Sequence, residues 1–587
     1  MRRQQDERGR QIMRLFSRRD ALKLGGVALA GALLPGYASG PAPTTVTVGN
    51  PSHPALLPSA ILDAYNRGMR DITLTAGTYV IPDTGKNSIE FAGWNNATIR
   101  GNGSTIVFEG VNNRPIMLAG CNNVTIENVT LQFAGVSYTQ GRIKAIGEDA
   151  AGRYLDWQID AGYPTEINPA QTTYNVIDQQ TRLLKVGTGD SGAGEARSIG
   201  TGIYRLGQMN GSWEGAAVGD WLVCRAPGGS SIIQLDDSRR CTLRGITLKN
   251  AGFAAFFETG GDGDHRYTDC VVTRGPKPAG ATEEQLVACG ADGFHSTGTR
   301  VGPTIEHCHW DGVLLDDCIA IHGSFQTVVR AEGNLLVLEK GNRAGFAVNE
   351  PVRISSGDGF FAQAICTAVR TLESPDRNLE LTLDRALSVP AGAKAGNPER
   401  CGKSYKILGC TLGNTRSRGI LVKADDGLIQ GCLVEGCGMS AVSIGPEYYW
   451  GEANYCWNVT VAGNHFRHNS LRNNQYADGV IFLHGDGAKG NRNINIINNR
   501  FEDNYSPYMM NLGWAEGVMI IDNLIDAPSP LPLSEPGCII RLHDIRQVAF
   551  NGNTYSKPGP SVARTVDLGS QVEGVIGNDD SGIRLIK

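Results

Sequence analysis

Charged side chains are scarce in this chain, at 19% of 587 residues, and aromatic ones scarcer at 7%, whereas glycine is abundant at 76 residues. That balance suits many short strands joined by tight turns better than a helical bundle. No cluster of Lys and Arg forms a basic patch, which argues against a nucleic-acid partner. Past residue 34 no apolar run is long enough to cross a bilayer, so no membrane partner is expected for the mature form. No Cys/His spacing resembles a zinc site, and neither metal nor cofactor is expected. Cys121, Cys241, Cys270, Cys308, Cys410 and Cys432 fall at or near the start of strand-like segments, which reads as small buried residues rather than a disulfide framework.

Residues 1–40 read as a twin-arginine-type export signal. Arg10, Arg14, Arg18, Arg19 and Lys23 precede the short apolar run from Leu24 to Leu34, and the small residues Ala38-Ser39-Gly40 follow it. The expected location is the periplasm or the outside of a bacterial cell. Without this segment the chain keeps 46 basic and 56 acidic residues, a net charge of −10.

A phrase recurs with a period of roughly 20 to 30 residues: a turn Asn or Gly, an alternating Val/Ile/Thr strand, a second turn, and another short strand. Examples are Asn95–Ile106, Cys121–Leu131, Cys241–Leu248, Trp457–Phe466, Ile494–Phe501 and Met519–Ile525. Each such coil has an apolar face that only its neighbours can cover, and Asn and Gly tolerate the left-handed backbone that a bend needs. The phrase stops near Phe133 and again after Gly323, and strand-like runs without the coil signature fill both gaps. The expected fold is all-β: a right-handed parallel β-helix with two inserted small β-barrel-like domains. Its expected segments are helix coils at 41–135, 231–323 and 403–587, with insertions at 136–230 and 324–402.

The chemistry-bearing residues gather around the second interruption. Asp292, in Ala-Asp-Gly-Phe-His, lies 24 positions before Asp316, and Asp317 follows in Leu-Asp-Asp-Cys-Ile-Ala-Ile-His-Gly. Residues one coil apart become lateral neighbours at about 4.8 Å, so these loci are expected to form one acidic, solvent-facing ledge. Carboxylates so close cannot all ionise cheaply, and one is expected to serve as a proton donor. Asp is also a common turn former, so the residues alone leave a structural reading open. His295 and His322 follow the two acidic loci and are candidates to hydrogen-bond sugar hydroxyls. Arg418 and Lys423, one coil on, are expected beside the doublet. Glu447, Trp450 and Glu452 form an acidic and aromatic loop suited to sugar recognition, with capping of the core as the alternative for its aromatics.

The ordered set Ala-Asp-Gly-Phe-His, Leu-Asp-Asp-Cys-Ile-Ala-Ile-His-Gly, Asn-Thr-Arg-Ser-Arg-Gly and Gly-Met-Ser-Ala resembles glycoside hydrolase family 110, the exo-acting α-1,3-galactosidases, over about residues 45–530. The resemblance implies inserted β-barrels, an inverting and metal-independent reaction, and Asp292, Asp316 and Asp317 as the acid/base group. It also implies an oligo- or polysaccharide partner ending in galactose or a related sugar. Two departures bear on the substrate: Ala320 stands where the family has Asn, and its Trp-Tyr-Glu-Ser loop is Tyr449-Trp450-Gly451-Glu452 here. Asp-Asp-Cys-Ile-Ala-Ile is also similar to family 28 polygalacturonases, a reading weakened by the lack of Gly-His-Gly one coil after Asp317. A glycan-binding β-helix without catalysis and a β-eliminating lyase based on Arg418 or Lys423 are the rivals from other classes. A homodimer is left open.

Overall fold

The computed structural model describes residues 45–167, 173–189, 191–211, 213–373, 376–472, 478–506, 508–526, 537–555, 562–576 and 585–586. The export signal expected at 1–40 lies outside them. Among the described residues no helix is long and apolar enough to cross a membrane.

Strands dominate, and most of them belong to one solenoid. Phe256–Thr259, Phe294–Thr297, Ile319–Glu332, Ile420–Val422, Val442–Ile444 and Ile481–Leu483 pair in parallel, each with the next. Two further parallel stacks run beside this one, through Thr242–Arg244, Arg266–Thr268 and Thr304–Glu306, and through Thr247–Lys249, Val271–Thr273 and His309–Asp311. Alternation along each short strand turns one residue in and the next out. Phe256, Phe294, Ile319, Ile420, Val442 and Ile481 therefore stack as one buried column, each contributing about 1.5–3 kcal/mol by leaving water.

Corners repeat as faithfully as strands. Asn96, Asn123, Arg240, Asp264, Ser404, Asp426, Asn458 and Asn493 all have positive φ and occupy one corner of the stacked coils, which between Asp264 and Ser404 is taken once by Gly302 without a positive φ. At a second corner the residue after the left-handed position points inward. Here Cys270, Cys308, Cys410 and Cys432 are followed up the stack by Asn464, Asn499, Asn523 and Asn553. The thiols are free and buried. The amides need partners, and they find one another: Asn464 Nδ2 donates to Asn499 Oδ1 at 3.0 Å, and Asn499 Nδ2 to Asn523 Oδ1 at 3.0 Å and to the Val461 carbonyl at 2.9 Å. The helix Leu57–Asn66 buries Leu57, Ile61 and Ala64 against the first described strands.

Two antiparallel rings interrupt the coils. The first is a closed barrel of Tyr138–Asp149, Gly152–Ile159, Thr173–Ile177, Ser191–Gly200, Ile203–Asn210 and Trp221–Arg225. Its core of Trp157, Tyr174 and Trp221 is continuous with Leu286, Val287, Leu314 and Leu315 from the solenoid. The second ring is closed by Leu335–Leu338, Pro351–Ser355, Phe361–Thr371, Leu379–Leu383 and Lys394–Gly396 together with the far half of Ile319–Glu332. That 14-residue strand runs unbroken from coil into barrel. The division expected after residue 323 thus falls inside one strand, because a β-ladder continues wherever new partners keep its backbone groups paired.

Asn499→Leu removes the acceptor of Asn464 and the donor to Val461 in one step. It is expected to cost about 2–4 kcal/mol in denaturant unfolding. A second expectation concerns Glu258, buried in the core under the Tyr267 hydroxyl at 2.7 Å. Burial pushes its carboxyl from 4.5 up to about 7. A raised carboxyl pKa favours the folded state at low pH and costs stability as pH rises from the unfolded to the folded value. Glu258→Gln should therefore abolish a decline on the order of 3 kcal/mol between pH 4 and 8, read from urea midpoints.

Candidate active site

Asp292 and Asp317 each precede a strand of the same stack, and the backbone ladder aligns them. Gly293 N–H donates to the Asp317 carbonyl at 3.0 Å, and Cys318 N–H to the Arg418 carbonyl at 3.0 Å. Asp292, Asp317 and Arg418 are thereby consecutive rungs, and Asp316 sits beside the middle one. It is Asp317, rather than Asp316, that stands opposite Asp292. One carboxylate oxygen from each of the three aspartates lies within 4.8 Å of the others.

The expected solvent-facing ledge is corrected in part. Asp292 and Asp317 are buried, at 6% and 3% exposure, and only the Asp316 side chain, at 36%, is open. The loops that carry them also supply Leu314 and Leu315 to the first barrel's core, so the barrel roofs the rungs. Burial has its usual electrostatic result. Asp317 is pushed up to about 7 by burial and by the charges of Asp316 and Asp292, against the pull of Arg418, whose N–H donates to Asp317 Oδ1 at 2.6 Å. Asp292 is raised by burial and by Asp316, against His295. Asp316 is held by Arg225 at 3.1 Å and Arg416 at 3.7 Å. These three aspartates are also the described residues able to ligate one cation together, but the guanidinium groups around them already supply counter-charge.

The remaining expected residues divide. Arg418 lies beside Asp317, at 3.8 Å, and also pairs with Glu447. Lys423, expected beside the doublet, is instead fully buried one row away, at 2.8 Å from Glu447 and 3.3 Å from Glu452. Its strand register sets it next to His322, beyond reach of the aspartates. Glu447 is held well below the usual carboxylate range: burial would raise it, but Lys423 and Arg418 outweigh that. With both oxygens engaged it acts as a brace for the two cations. Glu452 is likewise lowered, with His322 and Lys423 overcoming burial.

His295 and His322 were candidates for sugar hydroxyls, and the structure gives their ring nitrogens other partners. His295 Nδ1 is 3.0 Å from Asp292 Oδ2, His322 Nδ1 is 2.7 Å from the Gly323 carbonyl, and the two Nε2 atoms are 3.1 Å apart. Trp450 and Tyr449 are exposed, at 54% and 72%, and do not cap the core. Tyr448 anchors their loop, with its N–H donating to Asp486 Oδ2 at 2.7 Å and its hydroxyl 2.5 Å from Ser355 of the second barrel.

Arg225, Arg416 and Asp478 were not anticipated. Arg225 ends the last strand of the first barrel, so its place at the site depends on how an insertion docks. Arg416 lies in the Asn-Thr-Arg-Ser-Arg phrase, two residues before Arg418, so the same period places it near the doublet. Asp478, raised to about 6 by burial against the pull of Arg418, carries no local signal.

No known protein-family profile matches the chain, and no curated protein does. Among solved structures it is similar to the A-module of the mannuronan C-5 epimerase AlgE6 of Azotobacter vinelandii, at 12% identity over 86% of this chain and 96% of that one, with a TM-score of 0.40. It is also similar to the catalytic domain of a GH87 α-1,3-glucanase in complex with nigerose, at 10% identity over 94% and 69%, with a TM-score of 0.43. A third is the family 28 exopolygalacturonase of Yersinia enterocolitica, at 11% identity over 89% and 75%, with a TM-score of 0.39. Likenesses at this level assign no activity to the chain.

Arg225→Met tests the link between barrel and cluster. An ion pair this open contributes under about 1 kcal/mol, so thermal stability should hardly change. Loss of the cation should raise the Asp292 pKa further, since Arg225 lowers it, and carboxyl ¹³C titration would follow that shift.

Proposed function

We propose that the chain is an exported glycoside hydrolase that removes a terminal neutral sugar, α-linked galactose as the sequence resemblance implies. The observation that carries the reading is the trio of Asp292, Asp316 and Asp317, with oxygens within 4.8 Å, in which one member, Asp317, is raised to about 7. Such an acid is still protonated at mildly acidic pH and has a conjugate base that neutral water tolerates, which is what protonation of a glycosidic oxygen requires. Asp317 is the general acid. Asp292, aided by Asp316, receives the proton of the attacking water.

Charge pairing favours a neutral sugar over a uronate. Among the described residues each cation at the site already faces a carboxylate: Arg225 and Arg416 face Asp316, Arg418 faces Asp317 and Glu447, and Lys423 faces Glu447 and Glu452. A uronate carboxylate would arrive without a counter-ion, at a cost in desolvation. Exposed Trp450 offers an aromatic face to the apolar side of a pyranose. Inversion, which the resemblance implies, ordinarily uses carboxyl groups about 6.5–9.5 Å apart with water between them. Here the oxygens lie within 4.8 Å of one another, below that range and nearer the spacing of about 5–5.5 Å at which retaining enzymes work, so the inverting outcome rests on the resemblance alone.

Asp317→Asn should lower kcat on a cleavable α-galactoside by at least about 100-fold with unchanged thermal unfolding. The wild-type rate should decline as pH rises through about 7, where Asp317 loses its proton. The assay is chromatography of released sugar over a panel of α- and β-galactosides and uronate polymers. Release of unsaturated uronate, or binding without release, would replace this reading with a lyase or a lectin-like role.

A further inference from the structure

Two imidazoles lie end to end beside Asp292, and their contacts order the protons. His322 Nδ1 is 2.7 Å from the Gly323 carbonyl oxygen. A carbonyl only accepts, so Nδ1 carries hydrogen. Burial keeps this ring neutral, drawing its pKa down to about 4, and Nε2 is then a bare lone pair. That lone pair faces His295 Nε2 at 3.1 Å, so His295 must be the donor there. The other nitrogen of His295, Nδ1, meets Asp292 Oδ2 at 3.0 Å, and between these two atoms there is room for one shared proton.

The geometry points to His295 and His322 as positioning residues that fix this direction, so that His295 Nδ1 holds the shared proton and Asp292 is kept ionised. The role rests on the hydrolase reading above. As the water oxygen bonds to the anomeric carbon, its proton passes to Asp292. The bond from that carbon to the leaving oxygen breaks, and Asp317 delivers its proton to that oxygen. One proton enters the trio and one leaves.

The surroundings support a fixed arrangement. Phe257 lies over the His295 ring, with centroids 5.2 Å apart and planes 22° from parallel. The planes of the two imidazoles are 89° apart, with Nε2 facing Nε2. Ala320 is the lateral neighbour of His295, and His322 follows two residues later in the same strand, so the small side chain at 320 leaves the diagonal between the rings clear. Charged groups facing His295 are Asp292, Glu452 and Asp316, and those facing His322 are Glu452, 3.9 Å from its Nε2, the protonated His295, which lowers it further, and Lys423. Burial alone would lower His295, but Asp292, together with Glu452 and Asp316, outweighs it and the ring is raised.

Neutron diffraction from crystals of the deuterium-exchanged full chain at pH 7 tests the tautomers without any substrate. Deuterium is expected on His322 Nδ1 and on both nitrogens of His295, with none on His322 Nε2. Deuterium on His322 Nε2, or on Asp292 in place of His295 Nδ1, overturns the proposal, whatever the enzyme cleaves. Kinetics supply a second arm once a substrate is found. His322→Gln, whose amide can donate to Gly323 and accept from His295, should keep kcat within about 3-fold. His322→Met cannot accept from His295, and kcat should fall about 10-fold or more with KM unchanged. Equal kcat in the two variants, each checked for an unaltered melting temperature, would also overturn it. Absence of turnover on every glycoside, with the expected deuterium pattern, would defeat the hydrolase reading and leave the ordered proton chain standing.

Discussion

The parallel backbone ladder between coils is the constraint on which everything else rests. Each hydrogen bond from one coil to the next, such as Gly293 N–H to Asp317 and Cys318 N–H to Arg418, sets a rung. The rung spacing then brings residues far apart in sequence to lateral contact. The ladder is held by features that have nothing to do with chemistry. Apolar residues stack in a column, left-handed residues recur at two corners, and the Asn amides at one of them bond up the stack. A solenoid built this way is stiff along its axis, because displacing one rung would break pairs on both sides.

Such stiffness allows an electrostatically costly arrangement to persist. Three carboxyl groups within 4.8 Å, two of them buried, would separate if their loops could move. They cannot, because each loop is continuous with a strand and the first barrel shares its core with Leu314 and Leu315. The cost appears instead in the raised pKa values of Asp292 and Asp317. Beside them, Lys423 and Arg418 are neutralised by Glu447 and Glu452. The site thus pairs a half in which glutamates brace two cations with a half in which Asp317 holds a proton and Asp292 faces His295.

The insertions have distinct tasks. The first barrel lends Arg225 to Asp316 and covers the buried rungs. The second grows out of the strand that begins beside Asp317, and it steadies the loop bearing Trp450: Arg353 binds Asp425 and the Tyr455 carbonyl, and Ser355 meets the Tyr448 hydroxyl. Neither task is visible in the local sequence of the insertions, since both arise from docking.

Period, corner residues and alternation are local properties, so the coils, their parallel stacking and the two interruptions were legible in the order of residues. The clustering of Asp292 with the doublet followed from the same period. What period alone missed was register to within one residue: Asp317, not Asp316, faces Asp292, and a shift of one turns a side chain to the other face. Burial of Asp292 and Asp317, the diversion of Lys423 to Glu447 and the engagement of both histidines came from tertiary structure alone. Those depend on which loops a barrel roofs and on whether Ala320 is small enough for two rings to meet. Neither is a property of any single segment of chain, because each is decided by surfaces that come together only after the coils have stacked.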